Sequence, residues 1–422
     1  MGNRIKKIVQ EFPKPFWVLS LSTFVDRLGS FLLYPFFGFY LKQRFAADYT
    51  GVGLLFTMLA VGGIFGGIIG GAIADKLGRR TALLLGLIGS AFTTLFMGFV
   101  NTIELFYLFS FLNGLLGDLG HPGRMAMVID LLPAKKRSEG YAIMRIATNL
   151  SATIGPALGG FISATTNNYL ILFIADVVSS FITAIIVFFV IPETNPRKKL
   201  IKIDNGEEVP QKERFGSSII GYWKVLKDWQ FLLFILVGIL STWIYMQFNT
   251  TLPVFLLVER GFSEGSFGLL LSMNALIVVL CQFWVSRLVS KYPPMIFMGV
   301  GVTLYGIGFV LFGFDTASWM FFVAIGIITI GELINAPHVM AVPGLFSPED
   351  MRGRYQALSG WRRIIPRLFG IILSGYIMDN SSQPSILWYI VGIAAIFALL
   401  GYIGLHYITK KRFSQIEEQP SM

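Results

Sequence analysis

One apolar stretch of the 422-residue chain carries an acid, an imidazole and a base at intervals of three residues. These residues are Asp118, His121 and Arg124. On a helix such positions lie along one face, and an imidazole changes charge near physiological pH. The stripe could therefore pass a proton along or bind a polar head group. The competing interpretation is that the three groups satisfy one another and only hold the helix in register.

A second group of charges stands within the first apolar stretch, where Asp26 and Arg27 are adjacent. If this stretch is buried, Asp26 is a candidate coupling acid, because burial and neighbouring charges decide its protonation. The alternative is that the span starts later and that both residues lie at the cytoplasmic interface. Arg145 and Asn149, four residues apart, could meet the acid at position 118 or an anionic substrate. Arg145 could instead extend to the cytoplasmic surface.

Two further acids stand in apolar surroundings. Glu332 lies well inside an apolar stretch and close to Pro337, which can locally interrupt a helix, so it is a candidate site residue of the second half. Asp176 is isolated, which is more typical of a hydrogen-bond partner between helices than of a proton carrier. Long basic side chains near helix ends commonly extend to the surface, and we expect this on the cytoplasmic side for Arg362, Arg363 and Arg367. The alternative is that one of the three lines the inward vestibule.

Aromatic side chains accompany these charges. Tyr34 lies in the first apolar stretch, and Trp243, Tyr245 and Phe248 lie in a later one. A cavity lined by such rings would bind apolar or cationic molecules through burial and cation–π contact. The alternative is ordinary packing or lipid contact, since Trp and Tyr are common at membrane interfaces.

The elements that must position these groups are membrane-spanning helices. Hydrophobic residues make up 54% of the chain and charged residues only 14%, whereas soluble domains carry about 25% charged residues. The formal net charge is +10, but the bases cluster in short turns, which indicates membrane topology rather than nucleic-acid binding. A single cysteine excludes an intramolecular disulfide, and three histidines argue against a zinc site, so we expect no metal and no cofactor.

Apolar runs separated by helix breakers predict twelve spans, each long enough to cross a hydrocarbon core. The predicted spans are 16–41, 51–74, 81–101, 104–131, 139–162, 168–191, 229–257, 264–289, 294–313, 317–345, 354–379 and 384–408. We therefore expect an all-α membrane protein with two pseudo-symmetric six-helix bundles, at 16–191 and 229–408. A lead-in at 1–15 precedes them, a linker at 192–228 joins them, and a tail at 409–422 follows.

Basic residues mark one side of the predicted bundles. The turns after even-numbered spans are rich in Lys and Arg, as at 76–80 and 135–137, whereas the turns after odd-numbered spans hold few. Because cytoplasmic loops carry the excess of positive charge, we expect both termini and the linker to lie in the cytoplasm.

The turn between the second and third spans, "GGAIADKLGRR", has a specific pattern. The residues in register are Gly71, Asp75, Gly78, Arg79 and Arg80. With them the chain resembles the major facilitator superfamily, and the resemblance covers its whole length. It implies that this turn is a gating motif, in which Asp75 and Arg79 brace the two halves on the cytoplasmic side when the transporter faces outward.

The fifth span contains a second motif of the same family. Its residues are Gly155, Pro156, Gly159 and Gly160. This motif resembles the pattern of the antiporter branches, chiefly the drug:proton antiporters. The export direction expected for this chain rests on that resemblance.

The tenth span resembles that of the lactococcal-type multidrug/proton antiporters. In those proteins a glutamate is implicated in proton and substrate handling, and Glu332 matches it. The chain departs from the family at several places. Ser151 stands where the fifth-span motif often has glycine, and the second-half copy of the turn, "SRLVSKYPP", lacks the aspartate and the glycines. Ser110 stands where an arginine is common, and Asn249 stands where the antiporters have an acid.

The resemblance implies a secondary active transporter that works by alternating access, is not an enzyme and uses a proton gradient. We expect a proton-coupled exporter of amphipathic or cationic small molecules, with a small-molecule substrate, protons and the lipid bilayer as its partners. It is expected to act as a monomer in the cell membrane, as in a bacterial inner membrane. The alternatives are an importer of peptides, sugars or organic ions, or a lipid or glycolipid translocator. A receptor or membrane enzyme would need a catalytic constellation or a folded soluble module, and the sequence indicates neither.

Overall fold

The chain is helical throughout the part that the structure describes. The computed structural model describes residues 11–133, 136–194, 223–289, 291–314, 317–348, 351, 355 and 358–417. Within those ranges there is no β-strand. This agrees with the all-α class expected for a chain that must satisfy its backbone hydrogen bonds inside a membrane.

Within each half, most of the helices follow one another through connections of a few residues. In the first half they are α1 (Lys14–Leu33), α2 (Phe37–Phe45), α3 (Tyr49–Lys76), α4 (Arg79–Phe99), α5 (Ile103–Leu119), α6 (His121–Leu131), α7 (Arg137–Thr166) and α8 (Leu170–Val190). In the second half they are α9 (Trp229–Met246), α10 (Thr251–Val258), α11 (Glu264–Val289), α12 (Pro294–Gly313), α13 (Trp319–Phe346), α14 (Trp361–Ile365), α15 (Ile371–Asn380) and α16 (Ile386–Glu417).

Ten helical segments of the described chain are long and apolar enough to cross a membrane. Among them, α1 with α2, α5 with α6, and α9 with α10 each count as one interrupted segment. Helix α7 and the stretch from α14 to α15 coincide with the predicted spans five and eleven but do not belong to the ten. The exact number of twelve spans therefore stays a prediction.

Local turns interrupt several of the long helices. Pro35 lies in the 3-10 turn Tyr34–Phe36 between α1 and α2, and Pro366 opens the π-helical turn Pro366–Gly370 between α14 and α15. Proline has no backbone N–H for the helical ladder, which accounts for these changes of helix type. Gln247–Asn249 forms a further 3-10 turn between α9 and α10. The first span of each predicted half is therefore interrupted.

Contacts group the described residues into two compact units. Unit 1 takes its residues from Met1–Gly206 and Pro253–Leu276, and unit 2 from Glu207–Leu252 and Ile277–Met422. Most of α10 and the first half of α11 thus pack with the helices of unit 1. The predicted division into six-helix bundles at 16–191 and 229–408 stays a prediction.

Close packing of α3 against α5 holds unit 1 together. Gly62, Gly66 and Gly70 recur at every fourth position of α3 and form one flat stripe. A Cβ atom on Gly62 would overlap the carbonyl oxygen of Phe111, and one on Gly66 would overlap that of Leu115. The two backbones can approach so closely because these positions have no side chain, which is a common way for membrane helices to associate.

In unit 2, Asp228 joins the start of α9 to two other segments. Its carboxylate accepts a hydrogen bond from the backbone N–H of Phe231 at 3.2 Å and so caps α9. It also forms an ion pair with Arg412 of α16 at 2.8 Å and accepts a hydrogen bond from the Tyr355 hydroxyl at 2.8 Å. Burial acts to raise the pKa of Asp228, but the hydrogen bonds from Arg412 and Tyr355 outweigh it and hold the pKa below its ordinary value.

The variants Gly66→Ala and Gly67→Ala form a matched pair on α3. A Cβ atom on Gly67 meets nothing within 4 Å, in contrast to one on Gly66. We expect Gly66→Ala to lower the Tm of the purified protein in detergent, because α3 and α5 must separate to admit the methyl group. Gly67→Ala should keep or raise the Tm, since alanine stabilises a helix by about 0.5–1 kcal/mol relative to glycine. Equal Tm losses in fluorescence-monitored unfolding would contradict this packing.

Asp228→Asn tests the carboxylate at the start of α9. The pKa of Asp228 is lower in the folded protein than the value of about 3.9 for an unfolded chain. Its ionised form therefore stabilises the fold above about pH 4, and this contribution is lost as the pH falls through the folded-state pKa. We expect the variant to have a lower Tm than the parent at pH 7, with a gap that narrows below about pH 4. A Tm gap that does not change with pH would show that the negative charge is not the stabilising feature.

Candidate functional site

A buried ion pair connects α1 and α6 in unit 1. Nη2 of Arg124 lies 2.8 Å from Oδ2 of Asp26. Arg124 is 5% exposed and Asp26 is 8% exposed, so the protein encloses both charges. Each charge then depends on the other for compensation, because neither has the hydration it would have in water. Asp26 is an interior group and does not lie at an exposed interface.

The stripe of acid, imidazole and base on the predicted fourth span is interrupted by a break in the helix. Helix α5 ends at Leu119, and α6 begins at His121 with a proline at its second position. Asp118 is half-buried, His121 is exposed and Arg124 is buried. The expected continuous helical face is therefore divided, and Arg124 forms its ion pair with a residue of another helix.

Electrostatic contact nevertheless connects these groups. His121 interacts with Asp118, Arg124 and Arg27 at a range where charges still influence its protonation. Arg27 is half-buried beside Asp26. Unit 1 therefore brings together five of the residues that the sequence singled out, from α1, α5 and α6.

Asp176 of α8 is a further buried acid of unit 1. Its Oδ1 accepts a hydrogen bond from Ser30 Oγ at 3.3 Å, and the Thr94 hydroxyl also binds it. Nδ2 of Asn113 donates to Thr94 Oγ1 at 2.8 Å. The prediction that Asp176 is a hydrogen-bond partner between helices is confirmed. Asp26 lies within electrostatic range of it, so the two acids belong to one cluster.

The sequence analysis missed the hydroxyl and amide members of this cluster. They are Ser30, Thr94 and Asn113. Such residues also occur in apolar segments for packing and for bonds to the preceding turn, so their type alone carries no functional signal. The sequence signal that could have indicated them is a polar residue at the same depth of several predicted helices.

Arg145 and Asn149 lie one turn apart on α7. Arg145 is exposed and Asn149 is half-buried. The Asn149 carbonyl accepts a hydrogen bond from the Thr153 hydroxyl at 2.9 Å, within the same helix. The assignment of both residues to substrate binding stays a prediction.

In unit 2, two tyrosine side chains lie within reach of the carboxylate of Glu332 on α13. The Tyr245 hydroxyl hydrogen-bonds this carboxylate, and Tyr305 of α12 lies within its electrostatic range. The two tyrosine rings are 5.2 Å apart. A carboxylate between aromatic rings can accept a proton, and it can also bind a cation whose charge the ring faces attract.

The helix around Glu332 is shaped by Pro337. Because proline lacks an N–H, the carbonyl of Leu333 has no donor in its own helix. Nε2 of Gln282 on α11 donates to that carbonyl at 3.3 Å. The interruption expected from the sequence is thus compensated by a side chain of a neighbouring helix, and α13 continues through it.

Pro343 leaves the carbonyl of Val339 without a helical donor in the same way. Nη2 of Arg362 on α14 donates to it at 3.0 Å. Arg362 is 6% exposed, and its guanidinium lies over the Phe234 ring at 4.6 Å. The prediction that Arg362 extends to the surface is wrong, because the side chain is needed inside the unit to satisfy this carbonyl.

The four predicted cavity aromatics have different environments. Tyr245 contacts Glu332, and Phe248 stacks on Tyr245 with ring centroids 6.2 Å apart. Trp243 is buried and donates its indole N–H to the Gly370 carbonyl at 2.8 Å. Tyr34 is half-buried and meets Phe56 edge to face at 5.5 Å. The Trp243 contact favours the packing interpretation for that residue, and the Tyr245 contact favours a site residue.

Acids from other segments of unit 1 organise the turn between α3 and α4. Glu193 accepts the backbone N–H of Arg79 at 2.7 Å and that of Arg80 at 3.2 Å. It therefore caps α4, at the helix end where the dipole favours an anion. The side chain of Arg79 forms an ion pair with Asp75 and lies 3.5 Å from Asp130 of α6.

Asp130 and two glycines complete the description of this turn. Asp130 lies close to Arg79 and also accepts a hydrogen bond from the Thr194 hydroxyl at 3.0 Å. Gly78 has a φ of 126°, which glycine adopts without strain. A Cβ atom on Gly71, by contrast, would meet nothing within 4 Å, so no close approach in unit 1 requires a glycine there.

The glycine motif of α7 is a packing surface. Gly155 and Gly159 face α1, and a Cβ atom on Gly159 would overlap the carbonyl oxygen of Leu32. One on Gly160 would overlap the carbonyl oxygen of Glu264 on α11. The motif therefore allows α7 to lie close to α1 and α11 within unit 1.

Apolar helices of membrane-spanning length with ionisable groups buried among them define the class of multi-span membrane transporters. The profile of the Major Facilitator Superfamily matches residues 19–362. The chain belongs to this superfamily, and it is a transporter rather than an enzyme. Transporters of this superfamily generally need no cofactor.

Several relatives match along nearly the whole chain. A Na(+), Li(+), K(+)/H(+) antiporter of Planococcus maritimus is 27% identical, with 96% of this chain and 98% of the relative covered. The multidrug resistance protein MdtH of Shigella sonnei is 23% identical, with 96% of each chain covered. One of these relatives is thus named as an antiporter and the other as a multidrug resistance protein.

Solved structures show the same fold at low sequence identity. A POT family transporter bound to a thioalcohol-conjugated peptide matches with a TM-score of 0.76 and 16% identity, covering 94% of this chain and 96% of that chain. The nucleoside transporter NupG matches with a TM-score of 0.75 and 14% identity, covering 93% of this chain and all of that one. At such identities the likeness concerns the fold alone.

Asp26→Asn should destabilise the protein more than the double variant Asp26→Asn with Arg124→Gln. The single change leaves a buried guanidinium without its counter-charge, which typically costs about 3–5 kcal/mol. The double change removes both charges and should recover part of the loss. The measurements are the yield of monodisperse protein in detergent and its Tm. Equal losses in the single and double variants would contradict a coupled pair.

Proposed function

We propose that this transporter is a proton-coupled antiporter that exports cations, including amphipathic organic ones, by alternating access. The chain crosses the membrane twelve times as two six-helix bundles, with both termini and the linker in the cytoplasm. The distribution of basic turns supports this topology. It acts as a monomer in the cell membrane, which is the inner membrane in a bacterium.

The observation that carries this proposal is the surrounding of Glu332. Its carboxylate is bonded by the Tyr245 hydroxyl and stands next to the paired rings of Tyr245 and Tyr305. A proton and a cation each neutralise one carboxylate charge, so they compete for the same group. Such competition is the basis of exchange, because binding of one ion requires release of the other.

The pair of Asp26 and Arg124 supplies the element that responds to protonation. Protonation of Asp26 would remove the counter-charge of a guanidinium that is buried with it. Arg124 would then favour a conformation in which it is hydrated or meets another acid. Asp118 and Asp176 are the candidate acids, since Asp118 shares electrostatic contact with His121 and Asp176 lies within electrostatic range of Asp26. A change of one proton thereby biases the equilibrium between the two states of the transporter.

The two named relatives support a cationic substrate class. One is an antiporter of Na⁺, Li⁺ and K⁺ against protons, and the other is a multidrug resistance protein. A carboxylate flanked by aromatic rings suits either an alkali cation or an organic cation, since both are attracted by its charge and by the ring faces.

The turn between α3 and α4 acts as the cytoplasmic gate in this proposal. Asp75 and Arg79 already form an ion pair, and Glu193 and Asp130 hold Arg79 in place. A charged network of this kind can change partners between conformations without leaving a charge unpaired. It would therefore control the rate of the conformational cycle rather than the choice of substrate.

Everted membrane vesicles with a respiration-driven pH gradient provide the test of the proposed exchange. A fluorescent pH probe reports the collapse of the gradient when Na⁺, Li⁺, K⁺ or ethidium is added. We expect the parent protein to collapse the gradient and Glu332→Gln to fail, because the amide cannot exchange a proton for a cation.

Glu264→Gln is the matched control for Glu332→Gln. Glu264 also accepts a hydrogen bond from a tyrosine, Tyr169, at 2.8 Å, but it stands at the start of α11 and outside the cluster around Glu332. This variant should retain exchange. Gradient collapse by Glu332→Gln at the parent rate would remove Glu332 from the mechanism. Accumulation of substrate in right-side-out vesicles, driven by protons that move inward with it, would replace export by the importer alternative.

A further inference from the structure

Two buried polar residues follow Glu332 on α13, and the proposed exchange does not use them. Asn335 is 3% exposed and His338 is 5% exposed. Among the described residues, neither Oδ1 of Asn335 nor Nε2 of His338 has a hydrogen-bond partner. Buried polar atoms in folded proteins are nearly always paired with protein groups or with ordered water. These two atoms therefore mark a place where water or a transferred proton would be stabilised.

Glu332, Asn335 and His338 lie on one face of α13. They are spaced three residues apart, which places them along one side of a helix. From Glu332 to His338 the helix rises about 9 Å. This distance is short enough for a few hydrogen-bonded water molecules held by the Asn335 oxygen between the two titratable groups.

Helices α11 and α12 contribute side chains that contact α13 near this face. From α12, the Phe297 ring meets the His338 ring with centroids 6.3 Å apart, and the Tyr305 hydroxyl oxygen accepts a hydrogen bond from the amide nitrogen of Asn335. From α11, Gln282 binds a backbone carbonyl of α13. These contacts supply aromatic surface, a phenol and an amide, none of which carries a charge at neutral pH.

The charged group that α14 contributes is Arg362. Its Nη2 binds the carbonyl of Val339, the residue that follows His338. On α13 itself the charged group of this face is Glu332. Arg362 is therefore directed to a backbone carbonyl of α13, and Glu332 is the acid on this face that can supply a proton to His338.

The first half of the chain has a comparable arrangement with a different last member. Asp118, His121 and Arg124 follow the same spacing of acid, polar group and base. Arginine does not release its proton in proteins, whereas histidine does so near physiological pH. In this spacing Arg124, whose charge is fixed, corresponds to His338, whose charge can change.

We propose that His338 is a proton-relay residue that receives the proton released by Glu332. This inference rests on the proposed proton-coupled exchange and adds the route that the proton follows. The carboxylic acid of Glu332 loses its proton to a water molecule and becomes a carboxylate. That water passes a proton to Nε2 of His338 and is neutral again, and the imidazole becomes an imidazolium. In the proposed topology His338 lies on the cytoplasmic side of Glu332, so the imidazolium releases the proton toward the cytoplasm.

The test compares His338→Gln with His406→Gln in proteoliposomes. His406 lies on α16, where its ring contacts Tyr407, and it takes no part in the relay. Two rates are measured with Na⁺ or ethidium, whichever the parent exchanges: transport driven by a pH gradient, and exchange of labelled for unlabelled substrate at equal pH. The first needs net proton movement, and the second does not.

We expect His338→Gln to slow gradient-driven transport by about 10²-fold, a typical effect of removing a positioned proton-transfer group. Substrate exchange at equal pH should stay within about twofold of the parent, and His406→Gln should match the parent in both assays. Asn335→Leu, which removes the amide oxygen but no titratable group, should also slow the gradient-driven rate selectively. It thereby tests the relay independently of any folding defect in His338→Gln.

An unchanged gradient-driven rate in His338→Gln would overturn the relay. An equal loss of both rates in His338→Gln and in Asn335→Leu would also overturn it, since that result indicates a structural role. These results are distinguishable from failure of the proposed function. If the proposed function itself is wrong, the parent protein shows no coupling to the pH gradient, and both proposals are rejected.

Discussion

The cost of placing charge among membrane-spanning helices is the constraint on which the rest of this structure depends. Asp26 and Arg124 are both enclosed, and their 2.8 Å ion pair is what makes that burial sustainable. The pair joins α1 to α6, so it also determines which helices must be neighbours. Asp176 obeys the same constraint through hydroxyl groups, since Ser30 and Thr94 compensate it instead of a base.

Backbone groups are subject to an equivalent constraint. The carbonyls that Pro337 and Pro343 leave unpaired are bound by side chains from α11 and α14, so α13 keeps its helical course past both prolines. The buried Arg362 is explained by this requirement. Close approach of helices depends in turn on glycine, as the stripe on α3 and the motif on α7 show. Most buried polar groups are therefore used to pair charges and backbone carbonyls or are enclosed by close packing. A small number of the described polar groups remain for a functional role.

The two units solve the charge problem in different ways. In unit 1 the buried cluster contains two arginines, whose charge is permanent, so protonation of an acid there changes which groups attract one another. In unit 2, Glu332 lies among phenols and amides, and the base on its helical face is a histidine. An ion pair whose arginine always keeps its charge is suited to the control of conformation. A row of groups that gain and lose protons is suited to proton movement. This division is consistent with an exchanger in which ion binding and conformational change are linked.

The sequence by itself determined the helical class, the approximate positions of the long helices and the superfamily, because runs of apolar residues and short turn motifs are local properties. It also singled out Asp26, Arg124 and Glu332 as candidate site residues, since charges in apolar segments are rare and costly. Only the tertiary structure decided the partners. Arg124 bonds to Asp26 rather than to its neighbours on the same stretch, Asp130 meets Arg79, and Arg362 is buried. The physical reason is that a partner depends on how each helix is rotated and which helix lies beside it. Those quantities arise from packing of the whole unit and have no local signature.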